Sequence, residues 1–373
     1  MPSHLNRSFV AFALALSGGV SLMSDQTTGL KTPLGAQGKF KAIWEPVNVK
    51  EDLALTSVHF VSADEGWVAG GKNAMTGGVI LHTSDGGANW EIQLGDPASA
   101  DRTFTDLRFI DAKTGFAVQD GPGGQDTLVR TTDGKTWMPV GTVRDHRTDY
   151  QFVSAQVGFV SYGDDILRTT DGGKKWTPVY ECRVKAEVQG LTREVNCQVD
   201  ELFFVDANTG FGITRRIDDA GFVFVKTTDG TKWSASVILP GEEGREGAVH
   251  FFDAGNGVIR TQDGKVFRTS DAGLTWSEVP GRIDGKPDFE FADNEVGWMA
   301  VYQRLLYTKD AGRSWLSATT KFPTMITASS MPARDRGYVV GDHGMVYRYR
   351  IVPADFTAKG ILPAPVVAAA VSK

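Results

Sequence analysis

The chain of 373 residues carries 45 acidic and 39 basic side chains, which gives a formal net charge of −6. The two signs are interspersed along the sequence, so nothing resembles the clustered basic stripe of a nucleic-acid-binding protein. The 43 glycines are typical of a chain with many tight turns. Composition therefore indicates a globular protein and excludes nucleic acid as an expected partner.

The first element in chain order is a short apolar segment near the N-terminus. Arg7 precedes the run Phe-Val-Ala-Phe-Ala-Leu-Ala-Leu at 9–16. This run is too short to cross a bilayer and is typical of a secretory signal peptide. We expect residues 1–36 to be a signal peptide and flexible leader, and the mature chain to have no transmembrane segment. The expected location is periplasmic, lumenal or extracellular, and a disordered cytosolic leader is the alternative.

Six copies of one motif, here called the Thr–Asp turn, follow along the chain. Four read Thr-x-Asp-x-Gly-x-x-Trp, and two are one residue shorter between Asp and Trp. The Asp can accept hydrogen bonds from backbone N–H groups, and the Trp supplies apolar surface that is best buried between repeats. We interpret these residues as structural. They are Asp85 and Trp90, Asp133 and Trp137, Asp171 and Trp176, Asp229 and Trp233, Asp271 and Trp276, and Asp310 and Trp315.

A second motif precedes each Thr–Asp turn and occurs seven times. An apolar, aromatic run leads into a short turn, a Gly and then a large apolar residue, as in Phe60…Gly66-Trp67. Each copy predicts two short strands, a third strand leads into the Thr–Asp turn, and its Trp begins a fourth. Four antiparallel strands in each repeat of about 45 residues predict an all-β, seven-bladed β-propeller over residues 37–352.

The two ends of the repeat region are expected to complete each other. The seventh repeat has no Thr–Asp turn and no evident fourth strand, whereas Trp44 lies in a strand-like segment with nothing before it. We expect this N-terminal strand to complete the last blade and close the ring without an open edge. Residues 353–373 are dominated by Ala and Pro, and we expect a flexible tail there.

The two cysteines lie close together in the longest stretch between Thr–Asp turns. Cys182 and Cys197 suit a disulfide in an oxidising compartment, which agrees with export. A metal pair is less favoured, because there is no Cys-x-x-Cys and no His nearby in sequence. We expect no cofactor and no metal site.

The connections between strands divide into two kinds. The turns between first and second strands and the Thr–Asp turns are short and alike, and in an up-and-down blade they share one rim, here called the regular rim. The remaining connections differ in length and sequence and form the opposite, variable rim. Variable loops on a rigid scaffold usually carry binding, and Arg can form bidentate contacts with partner carboxylates. The candidate partner-binding residues are Arg102, Arg144, Arg147, Arg215, Arg216 and Arg245, with a solvated, mixed-charge rim as the alternative.

The Thr–Asp turns resemble the Asp-box, or bacterial neuraminidase, repeat. Together with the preceding Phe…Gly-(Trp/Phe) motif, they make residues 40–350 resemble the photosystem II stability/assembly factor family. That resemblance implies an exported seven-bladed propeller that binds proteins without catalysis. Its expected partner is a membrane protein or a complex under assembly, and we expect a monomer. No individual Arg is carried over from the family.

The rival hypothesis is a sialidase-like glycoside hydrolase acting on extracellular glycans, because sialidases share these turns. Such an enzyme needs an Arg cluster for the substrate carboxylate, a Tyr–Glu pair and an Asp acid. The Arg-Ile-Pro element typical near the start of these enzymes is missing from 37–49. His59 and His250 occupy equivalent strand positions, which favours packing over catalysis. The sequence therefore predicts a binding protein rather than an enzyme.

Overall fold

The computed structural model describes residues 40–73, 75–144, 150–214, 221–239, 247–283 and 289–353. These residues form seven four-stranded antiparallel sheets and one additional two-stranded hairpin. The predicted seven-bladed β-propeller is confirmed. The predicted signal peptide and leader, and the tail after Pro353, lie outside the described residues.

Each blade is a sheet whose strands follow one another from the central channel outward. Blades 1 to 3 comprise β2 (Ala54–Phe60), β3 (Gly66–Gly71), β4 (Val79–Thr83) and β5 (Glu91–Gly95); β6 (Phe104–Phe109), β7 (Gly115–Gln119), β8 (Gln125–Thr131) and β9 (Trp137–Arg144); and β10 (Tyr150–Phe152), β11 (Gly158–Tyr162), β12 (Asp165–Thr169) and β13 (Thr177–Glu181). The additional hairpin follows as β14 (Arg183–Val188) and β15 (Leu191–Asn196).

The second half of the ring repeats this order. Blades 4 to 6 comprise β16 (Val199–Phe204), β17 (Gly210–Thr214), β18 (Phe222–Thr227) and β19 (Trp233–Ile238); β20 (Gly247–Phe251), β21 (Gly257–Thr261), β22 (Val266–Thr269) and β23 (Ser277–Val279); and β24 (Phe289–Phe291), β25 (Gly297–Val301), β26 (Arg304–Thr308) and β27 (Leu316–Ser317). Blade 7 comprises β28 (Ile326–Ala333), β29 (Arg336–Gly341), β30 (Val346–Pro353) and, as its outermost strand, β1 (Phe40–Pro46).

The N-terminal strand closes the ring, as the sequence predicts. Strand β1 pairs antiparallel with β30, and Trp44 lies opposite Tyr349. The Trp44 ring also contacts Phe322 of the preceding linker, with ring centroids 4.9 Å apart. Glu45 accepts hydrogen bonds from the guanidinium groups of Arg348 at 3.1 Å and Arg350 at 2.6 Å. Closure therefore combines a strand pair, aromatic contacts and an ion-pair network.

The spacing of Phe and Gly in the second motif has a steric cause. The ring of Phe60 lies directly over Gly66, where a Cβ atom would come within 2.3 Å of it. The same Phe-over-Gly contact occurs between Phe204 and Gly210, also at 2.3 Å. Only Gly lets the aromatic ring lie against the neighbouring strand without displacing it.

The large residue after this Gly fills the space between blades. Trp67 of blade 1 stacks on Phe109 of blade 2 with ring centroids 3.6 Å apart, and Tyr338 of blade 7 stacks on Phe60 of blade 1 at 3.4 Å. The Trp of the Thr–Asp turn meets the same ring edge-on, as Trp137 does with Phe109 at 5.7 Å. The hydrophobic core is thus distributed over the interfaces between blades.

Candidate functional site

At the regular rim, the Thr–Asp turns use their own polar groups internally. In the first copy, the Thr83 hydroxyl donates to Asp85 Oδ1 at 2.8 Å, and the N–H groups of Gly87 and Asn89 donate to Thr83 Oγ1 and Asp85 Oδ1, both at 2.9 Å. The other full-length copies repeat this pattern. Hydrogen bonds from Thr275 lower the pKa of Asp271 to about 2. These carboxylates are ionised turn-formers and unsuited to proton transfer.

The two shorter copies form the same kind of turn, but their Asp accepts hydrogen bonds from N–H groups nearer in sequence. Asp133 Oδ1 accepts the N–H groups two and three residues on, from Lys135 at 2.8 Å and Thr136 at 2.7 Å. Asp229 does the same, and the N–H groups of Lys232 and Thr231 lower the pKa of Asp229 to about 2. The missing residue therefore shortens the turn and leaves the role of the carboxylate unchanged.

Side chains next to the Thr–Asp turns also bind the following blade. Lys226 of blade 4 donates from Nζ to the carbonyl oxygen of Ala272 in the turn of blade 5, at 3.1 Å. Arg348 of blade 7 donates to Gly86 O of blade 1 at 3.1 Å, and Gln93 of blade 1 donates to Gly134 O of blade 2 at 3.1 Å. The carbonyl that receives each bond belongs to the residue after the Asp. These polar groups hold the blades together at the regular rim.

The variable rim has no such common construction. The connection between second and third strands spans 72–78 in blade 1 but only two residues, Gly163 and Asp164, in blade 3. The short turn of blade 3 is acidic, because Asp164, Asp165 and Glu181 lie together there, and burial followed by repulsion from Glu181 raises the pKa of Asp165. The equivalent two-residue turn of blade 6, Tyr302 and Gln303, is followed by Arg304. The connections of blades 1, 3 and 6 thus differ in length or in charge at this rim.

Of the six predicted Arg candidates, the structure describes Arg102 in full and Arg144 by its backbone alone. Arg102 is half-buried in the segment between β5 and β6, with its carbonyl oxygen against Gly78. Arg144 ends β9 opposite Gln125, and its side chain lies outside the described residues. Arg147, Arg215, Arg216 and Arg245 also lie outside the described residues. A binding role for these six residues stays a prediction.

A disulfide-linked hairpin stands at the variable rim and was missed as an element in the sequence. Cys182 and Cys197 form the predicted disulfide, and both are buried. It joins the two ends of the β14–β15 hairpin, whose Val184 and Ala186 pack inward with the core of blades 3 and 4. The alternation of apolar and charged residues at 183–188, followed by a Gln-Gly turn, is the signal that could have identified this hairpin.

The central channel is lined by the innermost strands and has a volume of about 540 Å³. Its charged lining residues include Asp106, Asp200, Glu201 and Glu290 against Arg108. Burial lowers the pKa of His250 to about 3, so this ring is neutral at physiological pH. The described part of the channel is therefore acidic on balance, which the sequence reasoning did not foresee.

Two of these carboxylates link neighbouring blades. Glu290 Oε1 accepts the N–H of Met331 in blade 7 at 2.8 Å, and Glu201 Oε1 accepts the N–H of Val249 in blade 5 at 3.3 Å. Ser57 Oγ likewise accepts the N–H of Leu107 in blade 2 at 3.0 Å. These acceptors satisfy backbone groups on the open edges of the innermost strands, so they help to hold the ring at its centre.

The residues that the structure describes contain neither a metal-binding cluster nor a membrane-spanning helix. Among those residues, no group of three or more His, Cys, Asp or Glu side chains is placed to hold a metal ion. Within the same ranges, no helix has the length and apolar character needed to cross a bilayer.

No known protein-family model and no curated protein matches the chain. Among solved structures, YCF48 bound to a D1 peptide has a TM-score of 0.59 and 19% identity, with 82% of this chain and 96% of that chain covered. YCF48 from Cyanidioschyzon merolae has a TM-score of 0.61 and 18% identity, with 82% and 98% covered. The class that the fold defines is the seven-bladed β-propeller, and at these identities the likeness supports the fold alone.

Other solved propellers are similar at still lower identity. The structure of U3-55K has a TM-score of 0.56 and 10% identity, with 82% of this chain and 98% of that chain covered. The glycoside hydrolase GH74 enzyme of Niastella koreensis has a TM-score of 0.44 and 12% identity, with 78% and 64% covered. The latter similarity is too low to support any inference.

Proposed function

We propose that this protein is a non-catalytic, exported propeller that binds a protein partner and supports the assembly or stabilisation of a membrane protein complex. Two findings favour this proposal. The sequence motifs resemble those of photosystem II stability/assembly factors, and a propeller of the same fold, YCF48, has been solved with a D1 peptide bound. In this proposal the chain binds a peptide segment of its partner, and that binding supports assembly of the membrane complex.

The division of roles between the two rims carries this proposal. Polar groups of the regular rim are occupied within their turns or with the next blade, as Asp85 and Lys226 illustrate. The variable rim instead presents connections of unequal length and unequal charge around the mouth of the channel. A rigid ring that supports diverse loops is suited to recognition, so we assign partner binding to the variable rim.

Export rests on the N-terminal sequence and on the disulfide. The run at 9–16 favours a signal peptide. The bond between Cys182 and Cys197 is buried and structural, and such bonds are typical of oxidising compartments. A fusion of residues 1–36 to a reporter enzyme that is active only after export tests this part directly. A cytosolic reporter would contradict it.

A sialidase-like hydrolase is the second candidate, and the acidic channel is the observation that favours it. Glu201 and Glu290 lie in one cavity, as paired carboxylates of glycosidases do. Both, however, accept a backbone N–H from the next blade. Arg108 is the one guanidinium in the described lining, whereas a sialidase needs a cluster. We expect no turnover above a blank on a panel of fluorogenic glycosides, and turnover that is lost in Glu290→Gln would replace the binding proposal.

Site-specific photo-crosslinking in the exported compartment tests the binding proposal. A photoreactive residue at Gln303 or Asp342 on the variable rim should capture an integral membrane protein. The same residue at Leu274 on the regular rim should not. Reversing the charge of Arg144, Arg147, Arg215 and Arg216 together should weaken capture. Equal capture from both rims, or none from either, would overturn the assignment.

A further inference from the structure

The tip of blade 6 places a bulky residue where the backbone favours Gly. Strands β25 and β26 are joined by Tyr302 and Gln303 alone, with Val301 paired to Arg304. Tyr302 has φ of 54°, in the left-handed region that is unfavourable for a large side chain. The equivalent position in blade 3 is Gly163, with φ of 59°. Blade 6 thus retains an aromatic side chain at a conformational cost that blade 3 avoids.

This turn is held in place by the linker that leads into blade 7. The N–H of Ile326 donates to Tyr302 O at 2.8 Å, and the N–H of Phe322 donates to Gln303 O at 2.9 Å. Gln303 Nε2 also donates to Pro323 O at 3.0 Å. Such bonds can maintain an unfavourable backbone conformation, and strain of this kind is found at binding sites. The Tyr302 side chain is 58% exposed and projects from a fixed turn.

A second exposed apolar residue lies beside it. Met325 is 53% exposed and directly precedes Ile326, whose N–H binds the Tyr302 carbonyl. Tyr is a rigid anchor with a small entropy cost on binding, and Met adapts to irregular partner surfaces. Neighbouring exposed apolar residues of this kind are typical of protein-binding surfaces.

The charged residues on the two segments that carry this pair are basic. Arg304 and Lys321 are exposed and, in the part of the chain that the structure describes, the side chain of neither forms an ion pair or a hydrogen bond. The segments 301–306 and 316–326 contain no Asp or Glu. We call Tyr302, Met325, Arg304 and Lys321 the blade-6 corner. It contrasts with the acidic turn of blade 3 and with the acidic channel.

We propose that the blade-6 corner docks an extended, acidic peptide segment of the partner, an inference that rests on the function proposed above. An apolar side chain of the segment packs against Tyr302 and Met325, and its carboxylates lie against Arg304 and Lys321. Like charge in the channel directs such a segment along the rim and away from the channel interior. The partner is thereby identified by its chemistry, as a protein with an exposed acidic segment that carries an apolar anchor.

Selection from a random 12-residue peptide library against the purified full chain tests this assignment. We expect the recovered peptides to combine Asp or Glu with an aromatic or large aliphatic residue. Their affinity should fall about tenfold or more in Tyr302→Gly and in Arg304→Glu with Lys321→Glu, as expected for anchor residues. Recovery of basic peptides, of none, or of peptides that bind these variants unchanged would overturn the proposal.

The Tyr302→Gly variant separates binding from folding. Gly suits the left-handed conformation, so its melting temperature should equal or exceed that of the parent protein while peptide affinity falls. Leu274→Ala, which removes a side chain 73% exposed on the regular rim, is the matched control and should change neither quantity. A lower melting temperature in Tyr302→Gly would assign this residue a structural role instead.

Membrane crosslinking distinguishes failure of this inference from failure of the proposed function. If a photoreactive residue elsewhere on the variable rim captures a membrane protein and Tyr302→Gly leaves that capture unchanged, the blade-6 corner is wrong and the binding function stands. If no variable-rim position captures a membrane protein, the proposed function itself fails. The first result would therefore contradict only the role of the blade-6 corner, and the second would contradict the proposed function.

Discussion

The two rims of the propeller differ in what their polar groups do. At the regular rim, the Thr–Asp turns bond to themselves, and Lys226, Arg348 and Gln93 bond to the turn of the following blade. At the variable rim, the connections differ in length, as 72–78 of blade 1 and the two-residue turn of blade 3 show, and in charge, as the acidic turn of blade 3 and the basic corner of blade 6 show. The repeated motifs therefore determine packing at the regular rim, whereas the differences in sequence and length between blades lie in the variable-rim connections.

This difference guides where substitutions should affect stability and where they should affect recognition. Residues that recur in every blade have the same neighbours each time, and removing one opens an interface between blades. Residues that occur once, such as Tyr302, have no equivalent in the other blades, and we expect them to contribute little to the stability of the ring. We expect a large cost at the regular-rim end of the blades and small costs at the variable rim, the disulfide excepted.

The largest effect is expected from Trp67→Ala at the regular-rim end of blade 1. Trp67 is fully buried and stacks on Phe109 of the next blade. Truncation should lower the free energy of unfolding by about 3–5 kcal/mol, measured by chemical denaturation. Tyr162→Ala, at an exposed variable-rim position, is the control and should change it by about 0.5 kcal/mol or less. Equal losses would remove the contrast between the rims.

The disulfide is the expected exception at the variable rim. Cys182 and Cys197 are 15 residues apart in sequence, so their bond restricts a loop in the unfolded chain. Replacing both with Ala should lower the free energy of unfolding by about 3 kcal/mol. Asp164→Ala removes an acceptor for Asn196 beside the same hairpin and should cost about 0.5 kcal/mol or less. A double variant as stable as the parent would show that the bond is not structural.

A steric substitution at the second motif should have an intermediate effect. A Cβ atom on Gly158 would lie 2.7 Å from the Phe152 ring, so Gly158→Ala must displace that ring from its place between blades. We expect a loss of about 1–3 kcal/mol in the free energy of unfolding. Gly255→Ala is the matched control, because the nearest atom to its added Cβ is 3.5 Å away. Similar losses for both would contradict the steric explanation of the motif.

The smallest effect concerns the ion pairs that close the ring. Hydrogen bonds from Arg350 and then Arg348 lower the pKa of Glu45 in the folded protein. A lowered folded pKa means that the carboxylate adds stability above its unfolded pKa of about 4.3 and loses this stability as the pH falls through the folded value. Glu45→Gln should therefore cost about 1 kcal/mol at pH 7, since the pair is partly exposed.

The difference between Glu45→Gln and the parent protein should disappear in acid. Free energies of unfolding measured from pH 7 down to pH 2 test this behaviour. Glu187→Gln, on the outward face of the disulfide hairpin, is the control and should follow the parent at every pH. A Glu45→Gln deficit that persists below the folded pKa would show that packing, rather than charge, holds this strand.

Much of the fold could be predicted because the same two motifs recur along the chain. The Thr, Asp and Trp of the first turn, Thr83, Asp85 and Trp90, recur in six blades with at most one residue of difference in spacing, and local turn chemistry explains the Thr and the Asp without reference to the rest of the chain. The pairing of the Trp44 strand with the last blade could also be predicted. The N-terminal strand has no blade of its own and the seventh repeat lacks a fourth strand, so the two are expected to pair. The β14–β15 hairpin was missed because it occurs once and falls between the repeats.

The candidate site could be predicted only in part. The sequence predicted that the variable rim carries function and proposed Arg residues there. It did not single out Tyr302, because the unusual backbone conformation of this residue has no signature in a Val-Tyr-Gln-Arg sequence. The acidic channel was likewise hidden, because Asp106, Glu201 and Glu290 come from different blades. Their proximity depends on closure of the ring.

The sequence by itself determined the class of fold, the number of blades, the closing strand and the partners in the disulfide. Each depends on local spacing, on repeated turns or on the simple need to pair an open strand edge. Only the tertiary structure decided which carbonyl each Lys or Arg holds, which carboxylates share the channel, and that Tyr302 stands fixed beside Met325. Those arrangements join residues distant in sequence, and packing between blades sets their geometry.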